Sequence, residues 1–157
     1  MLRFYALLFS FLALFSHAEE GIPAAQNFFD DAQKVWKEKI PILIMFSIPE
    51  CAYCKKVKED VINPMSNLEE YKKKVIVREV SAESFKDVKE FYNEESTENE
   101  VAFKYAVNFF PTVMLVDQYG AVLDKIVGVA NEEFYWNDLE EKIEKSKEKL
   151  VKQFNAL

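Results

Sequence analysis

The chain is poor in the side chains that most catalytic and metal chemistry needs. It carries one histidine, His17, and two cysteines, Cys51 and Cys54, in 157 residues. His17 falls in an N-terminal stretch with the marks of an export leader. Arg3 gives a positive start, Leu2 to Phe15 is almost wholly apolar, and Ser16-His17-Ala18 puts small residues at the two positions a signal peptidase reads. Cleavage is expected after Ala18. The apolar run is shorter than the roughly 20 residues of a spanning helix, and Glu19-Glu20 follow at once. An uncleaved anchor is the alternative. No cysteine stands directly after the cleavage point, which excludes lipid attachment there. Removing residues 1–18 leaves a domain, 19–157, of 139 residues without an imidazole. Histidine-based acid–base catalysis and most zinc or copper sites are thereby excluded, so neither a metal nor a cofactor is expected.

Two cysteines cannot form the multi-bridge framework of a small secreted scaffold, and a domain of this size with half its residues hydrophobic does not need one. A bridge across so short a ring would remove little chain entropy. The leaderless chain has 19 basic and 27 acidic residues, a net charge of −8. That balance argues against nucleic acid and anionic membranes as partners and permits cationic proteins. No internal repeat, Gly/Ser linker or second domain interrupts the sequence, so a single core is expected.

Apolar positions at Phe28, Ala32, Val35 and Trp36 predict a helix over 24–37, with Pro23 at its start. Ile42-Leu43-Ile44-Met45-Phe46 reads as a strand buried on both faces. After the cysteines, Val57, Val61 and Ile62 mark a buried helix face, with Lys55, Lys56, Lys58 and Glu59 on the solvated one; Pro64 should kink or break this helix. Val75 to Val80 is a second strand, parallel to the first because a helical crossover joins them. Ser84 to Tyr92 is expected as a short helix through Phe85, Val88 and Phe91. Asn93 to Glu100 reads as a solvated loop or helix lead-in, followed by a helical turn or two around Val101, Phe103, Tyr105 and Ala106. Thr112 to Asp117 and Ala121 to Val127 form a hairpin around Gln118-Tyr119-Gly120, and Gly128 ends it. Asn131 is the expected N-cap of a C-terminal helix that buries Phe134, Leu139, Ile143 and Leu150.

Pro49-Glu50-Cys51-Ala52-Tyr53-Cys54 joins the first strand to the helix after it. The spacing puts the Cys51 sulfur at the helix N-terminus, where unpaired N–H groups and the macrodipole favour a thiolate, and Cys54 one turn further in. Such a pair opens and closes reversibly. Lys55 and Lys56 either assist Cys51 or merely form a solvated face, and Glu50 opposes ionisation.

The C-x-x-C at a strand-to-helix junction, the late Phe109-Phe110-Pro111-Thr112-Val113, the Asp-x-x-Gly hairpin and the glycine before the last helix together resemble the thioredoxin superfamily, over roughly 24–150. The resemblance implies a three-layer α/β fold, a central mixed sheet of about four strands flanked by helices. It implies that Cys51 attacks a disulfide and Cys54 resolves the mixed disulfide. It also implies that Pro111 is cis and lies beside Cys51, so that the backbone of Phe110 meets an extended substrate. Tyr53 and Phe110 either border that groove or pack against the fold. The chain departs from cytosolic thioredoxins: Ala52-Tyr53 replaces Gly-Pro, no tryptophan precedes Cys51, and Met45 stands where those proteins carry a buried acid. Glu79, on the neighbouring strand, is the candidate substitute proton acceptor for Cys54, the alternative being a surface carboxylate.

The chain is most similar to small exported thioredoxin-like proteins of the SoxW kind. The function this implies is a periplasmic thiol–disulfide oxidoreductase, a reductase of protein disulfides supplied with electrons by a membrane partner. Tyr53 is also similar to exported disulfide isomerases, whose dimerisation domain is absent here, so a monomer is expected. The alternatives are an isomerase or oxidase, and a redox-inactive peptide-binding module. Metal carriage by two thiols lacks both histidine and a third sulfur.

Overall fold

The computed structural model describes residues 21–156. The leader and the cleavage point after Ala18 lie outside the described residues. The first helix, α1 (Phe28–Glu38), starts later than its apolar spacing suggested. Asn27 caps it by accepting from the Asp30 amide at 3.0 Å, and Lys39 closes it in the left-handed region with its amide on Val35 O. The residues before it are extended. Pro23 O accepts from the Glu79 amide and the Ala25 amide donates to Glu79 O, so this segment pairs with a strand edge instead of coiling into the helix.

All six residues of β1 (Ile42–Ser47) are buried. After it come α2 (Ala52–Val57), a π turn over Lys58–Ile62, α3 (Asn63–Asn67) and α4 (Glu69–Lys72). Pro64 has no amide to donate and its ring crowds the preceding turn; the wider π turn leads directly into α3, with Pro64 in the first turn of that helix. The helix is therefore re-phased at the proline. β2 (Ile76–Ser81) then lies parallel to β1, Ile42 beside Ile76 and Met45 beside Glu79.

Ser84 to Tyr92 is not a helix. It contains β3 (Asp87–Lys89), which pairs antiparallel with β4 (Glu95–Thr97). The i, i+3 spacing of Phe85, Val88 and Phe91 imitates a helical face, but tertiary partners decide otherwise. The Lys89 amide bonds to Gln26 O, Phe91 stacks on Phe28 at 4.9 Å, and Asn93 turns the chain at φ 66°. Asn93 to Glu100 accordingly runs from two loop residues through β4 into the first three residues of a helix. Thr97 and Glu100 form a reciprocal capping box that starts α5 (Glu98–Lys104).

The hairpin of β5 (Thr112–Val116) and β6 (Val122–Val127) completes a four-stranded sheet in the order β2-β1-β5-β6. The Asp117 carboxylate accepts from the Tyr119 and Ala121 amides, and Gly120 supplies φ 78°. The last helix, α6 (Tyr135–Asn155), does not start at Asn131, which accepts from the Glu133 amide in a local turn. Leu139, Ile143 and Leu150 face inward as the apolar stripe requires, but Tyr135 heads it in place of Phe134, which is half exposed.

β1 feeds two cores. Leu43 and Met45, with Val113 and Leu115 of β5, meet Val57, Val61, Leu139 and Ile143 on one face. Ile42, Ile44 and Phe46, with Met114 and Val116, meet Phe28, Val35 and Val101 on the other. Each fully buried large side chain contributes about 1.5–3 kcal/mol, so this two-sided burial holds the three layers in register. The fold class expected from the sequence is present, a mixed sheet with helices on both faces.

A Cβ at Gly120 would lie 2.8 Å from the Phe91 ring and 2.8 Å from the Tyr105 hydroxyl, in a conformation L side chains avoid. Gly120→Ala should cost about 2 kcal/mol or more. Urea unfolding is expected to shift to a lower midpoint, and an unchanged midpoint would contradict this packing.

Candidate active site

Parallel pairing of β1 with β2 and antiparallel pairing with β5 bring three distant segments to one edge of the sheet. Ser47, Ser81 and Thr112 mark that edge: Ser47 lies beside Ser81, and Phe46 beside Thr112. The chain leaves β1 through Ile48 and Pro49 and reverses at Glu50, whose φ of 58° costs a non-glycine residue about 1 kcal/mol. That reversal delivers Cys51 to the N-cap of α2. Its Sγ accepts from the Cys54 amide at 3.1 Å, and its carbonyl accepts from the Lys55 amide at 3.0 Å.

Cys51 and Cys54 are joined as a disulfide, with their Cα atoms 5.2 Å apart. The two sulfurs have different surroundings. Cys54 is only 3% exposed and belongs to the core beneath α2, whereas Cys51 is half-buried and packs on the rim of that core with Phe110. An incoming disulfide can therefore reach Cys51 and not Cys54. A hydrogen-bond donor already points at the Cys51 sulfur, the arrangement that favours a thiolate after reduction.

An open cavity of about 500 Å³ adjoins the pair, lined among others by Ser47, Cys51, Cys54, Lys55, Lys58 and Glu59. Glu79 approaches it through two neighbours. The Glu79 Oε1 accepts from the Ser47 hydroxyl at 2.6 Å and from the Lys58 ammonium at 2.5 Å. Its side chain is 17% exposed and that of Lys58 31%. The sequence placed Lys58 on the solvated face of its helix, and the structure corrects this: Lys58 turns inward to the carboxylate. Its position four residues after Cys54, hence on the same helical face, was the available signal. Ser47 gave no such signal.

The other candidates divide between the site and its surroundings. Tyr53, on the first turn of α2, is 56% exposed to solvent. Phe110 contacts both cores with part of its surface open. The Phe110–Pro111 peptide is cis, and Pro111 O accepts from the Gly128 amide, which ties this loop to the end of β6. Lys55 pairs with Glu59, and Lys56 with Asp60 and Glu132, all well exposed. The Asp60 hydrogen bond, then the charges of Asp60 and Glu132, hold the Lys56 ammonium above its usual range. Lys56 therefore belongs to a solvated ion-pair face and gives its charge to these acids.

After reduction, Cys51 should react with iodoacetamide about tenfold or more faster than Cys54, because only its sulfur is both approachable and hydrogen-bonded at a helix end. Peptide mass mapping of briefly alkylated protein reads the order. Equal labelling, or Cys54 first, would overturn the assignment of the two sulfurs.

Comparison with known proteins gives the family. A family model described as a thioredoxin-like domain matches residues 28–143. No curated protein matches the chain. Among solved structures, thioredoxin O2 from Arabidopsis thaliana in its oxidized state is 20% identical, with a TM-score of 0.52 over 80% of this chain and 97% of that one. Thioredoxin from Fasciola hepatica is 19% identical, with a TM-score of 0.53 over 80% and 99% of the two chains. Thioredoxin NaTrxh from Nicotiana alata is 23% identical, with a TM-score of 0.52 over 82% and 98%. The sheet order, the disulfide at the head of α2 and the matched family model agree, and the chain belongs to the thioredoxin-like family.

Proposed function

We propose that this chain, a thiol–disulfide oxidoreductase by its fold and cysteine pair, works as a reductase of protein disulfides in the periplasm. The observation that carries the reading is the asymmetry of the two sulfurs, one approachable at a helix N-terminus and one buried behind it. In the reduced enzyme the Cys51 thiolate attacks a substrate disulfide, forms the Cys51–substrate bond and expels the first substrate thiolate, which takes a proton from water. Cys54 then gives its proton to Glu79 by way of the Ser47 hydroxyl, which bonds that carboxylate, while Lys58 stays protonated beside it. Its thiolate attacks Cys51, the Cys51–substrate bond breaks, and the second substrate sulfur leaves with both its electrons and is protonated. Two thiols are formed on the substrate and one disulfide on the enzyme.

Tyr53 and Phe110 border the approach to Cys51 and contact the substrate on either side of its disulfide, with Pro111 fixing the Phe110 segment. The enzyme acts as a monomer. A membrane protein returns two electrons to the Cys51–Cys54 disulfide, and the leader removed after Ala18 delivers the domain to the compartment where both partners meet. Resemblance to exported proteins of the SoxW kind supports the direction of electron flow. A measured potential near the roughly −270 mV of thioredoxin agrees with a reductase, whereas one near about −120 mV makes the protein an oxidase.

Cys54→Ser should trap substrates as mixed disulfides on Cys51, because attack proceeds and resolution is blocked. Cys51→Ser should trap none and should abolish reduction of insulin disulfides. The readout is reducing against non-reducing electrophoresis of protein recovered from the exporting compartment. If Cys54→Ser captures nothing there while Cys51 is intact, Cys51 is not the attacking group and the proposal falls.

A further inference from the structure

We propose that Lys58 is a shared counter-ion, paired with Glu79 while the disulfide is closed and with the Cys54 thiolate while the mixed disulfide is being resolved. The inference rests on the proposed reductase reading, in which Glu79 receives the Cys54 proton. It adds a residue that neither the cysteine motif nor the sheet supplies.

Three observations carry it. Lys58 lines the cavity that Cys51 and Cys54 also line, whereas Glu79 is joined to that cavity's wall through Lys58 and Ser47. Lys58 follows Cys54 by one helical turn and belongs to the π turn that re-phases the helix, a wider turn of a kind often kept at functional positions. The remaining charges around the cavity are Glu50, Lys55 and Glu59, and Lys55 pairs with Glu59 at 3.9 Å. Lys58 is thus the cation joined to the carboxylate behind the sulfurs.

The charge balance explains why a cation is needed at this place. Before resolution Lys58 and Glu79 contribute one ammonium and one carboxylate. Moving the Cys54 proton to Glu79 leaves one ammonium, one thiolate and a neutral acid, so the pocket's net charge does not change. What changes is which anion faces Lys58. Without the ammonium, the same transfer would create an uncompensated thiolate against the largely apolar core that holds Cys54, where burial opposes ionisation. The flexible four-carbon stem of lysine suits a group that must serve two partners in turn.

The test uses the leaderless reduced protein and 4,4′-dithiodipyridine, an uncharged aromatic disulfide. Attack by Cys51 releases one thiopyridone and resolution by Cys54 releases a second, so stopped-flow absorbance separates the two steps. In Lys58→Met the second phase should slow about tenfold more than the first, and its pH midpoint should rise by about one unit, the effect of losing a nearby opposite charge. Lys58→Arg, which keeps the charge, should stay within about threefold of the unmodified protein on the same scale. The double variant Lys58→Met with Glu79→Gln removes the stranded carboxylate and safeguards folding. Its second phase should be slower than that of Glu79→Gln alone, which lacks only the proton acceptor. Recovery of the second phase in the double variant would show that Lys58 only masks Glu79, and the proposal would be overturned. A normal ratio of phases in Lys58→Met would overturn it as well, with the reductase reading intact. Absence of a second phase in the unmodified protein would instead remove Cys54 as the resolving group, and with it the reductase reading itself.

Discussion

Burial of β1 on both faces is the constraint from which the rest of the molecule follows. Its alternate residues enter two separate cores, so a slip of one residue would send Leu43 and Met45 into the space shaped for Ile44 and Phe46. With partners on both edges, the strand also has no free hydrogen-bonding side. Its C-terminal end is therefore held in one place, and the loop that leaves it carries the cysteines. Residues far apart in sequence meet there because β2 runs parallel to β1 and β5 antiparallel.

At that edge, two sulfurs three residues apart acquire different properties. Cys51 caps a helix and accepts an amide hydrogen bond, while Cys54 is buried in the core that Leu43, Met45, Val57 and Leu139 also form. The first environment leaves a sulfur approachable, and the second shields its partner from solvent. The floor of the site is apolar, since Met45 is fully buried, and the carboxylate stands one strand away at Glu79, directly beside Met45 in the pairing register. A partly buried ion pair between Glu79 and Lys58 loses hydration that its attraction only partly offsets, so stability is a weak reason for its presence. Its position against the disulfide cavity agrees better with a part in the chemistry.

Several local features were misread in the sequence for a common physical reason. The spacing of Phe85, Val88 and Phe91 fits a helix, yet β3 forms because the Lys89 amide finds Gln26 O and the Phe91 ring finds Phe28. Pro23 resembles a helix start, yet its carbonyl serves the open edge of β2. Asn131 resembles a cap, yet its side chain closes a separate turn one step earlier. Local propensity is a weak preference in each segment, and contacts with distant residues override it. The capping box of Thr97 and Glu100 is the opposite case, a purely local signal that the sequence carries in full.

The sequence by itself determined the two-sided strand, the β5–β6 hairpin with its glycine, the apolar stripe of the last helix and the position of the reactive pair. All of these rest on interactions within a few residues or on a periodicity that survives any arrangement of the rest. Only the tertiary structure decided that Glu79 is bonded to Ser47 and Lys58, that Lys58 turns inward, and that Phe110 packs on the same core as Cys51. Those contacts span tens of residues and arise from the pairing of strands, which no local pattern of side chains encodes.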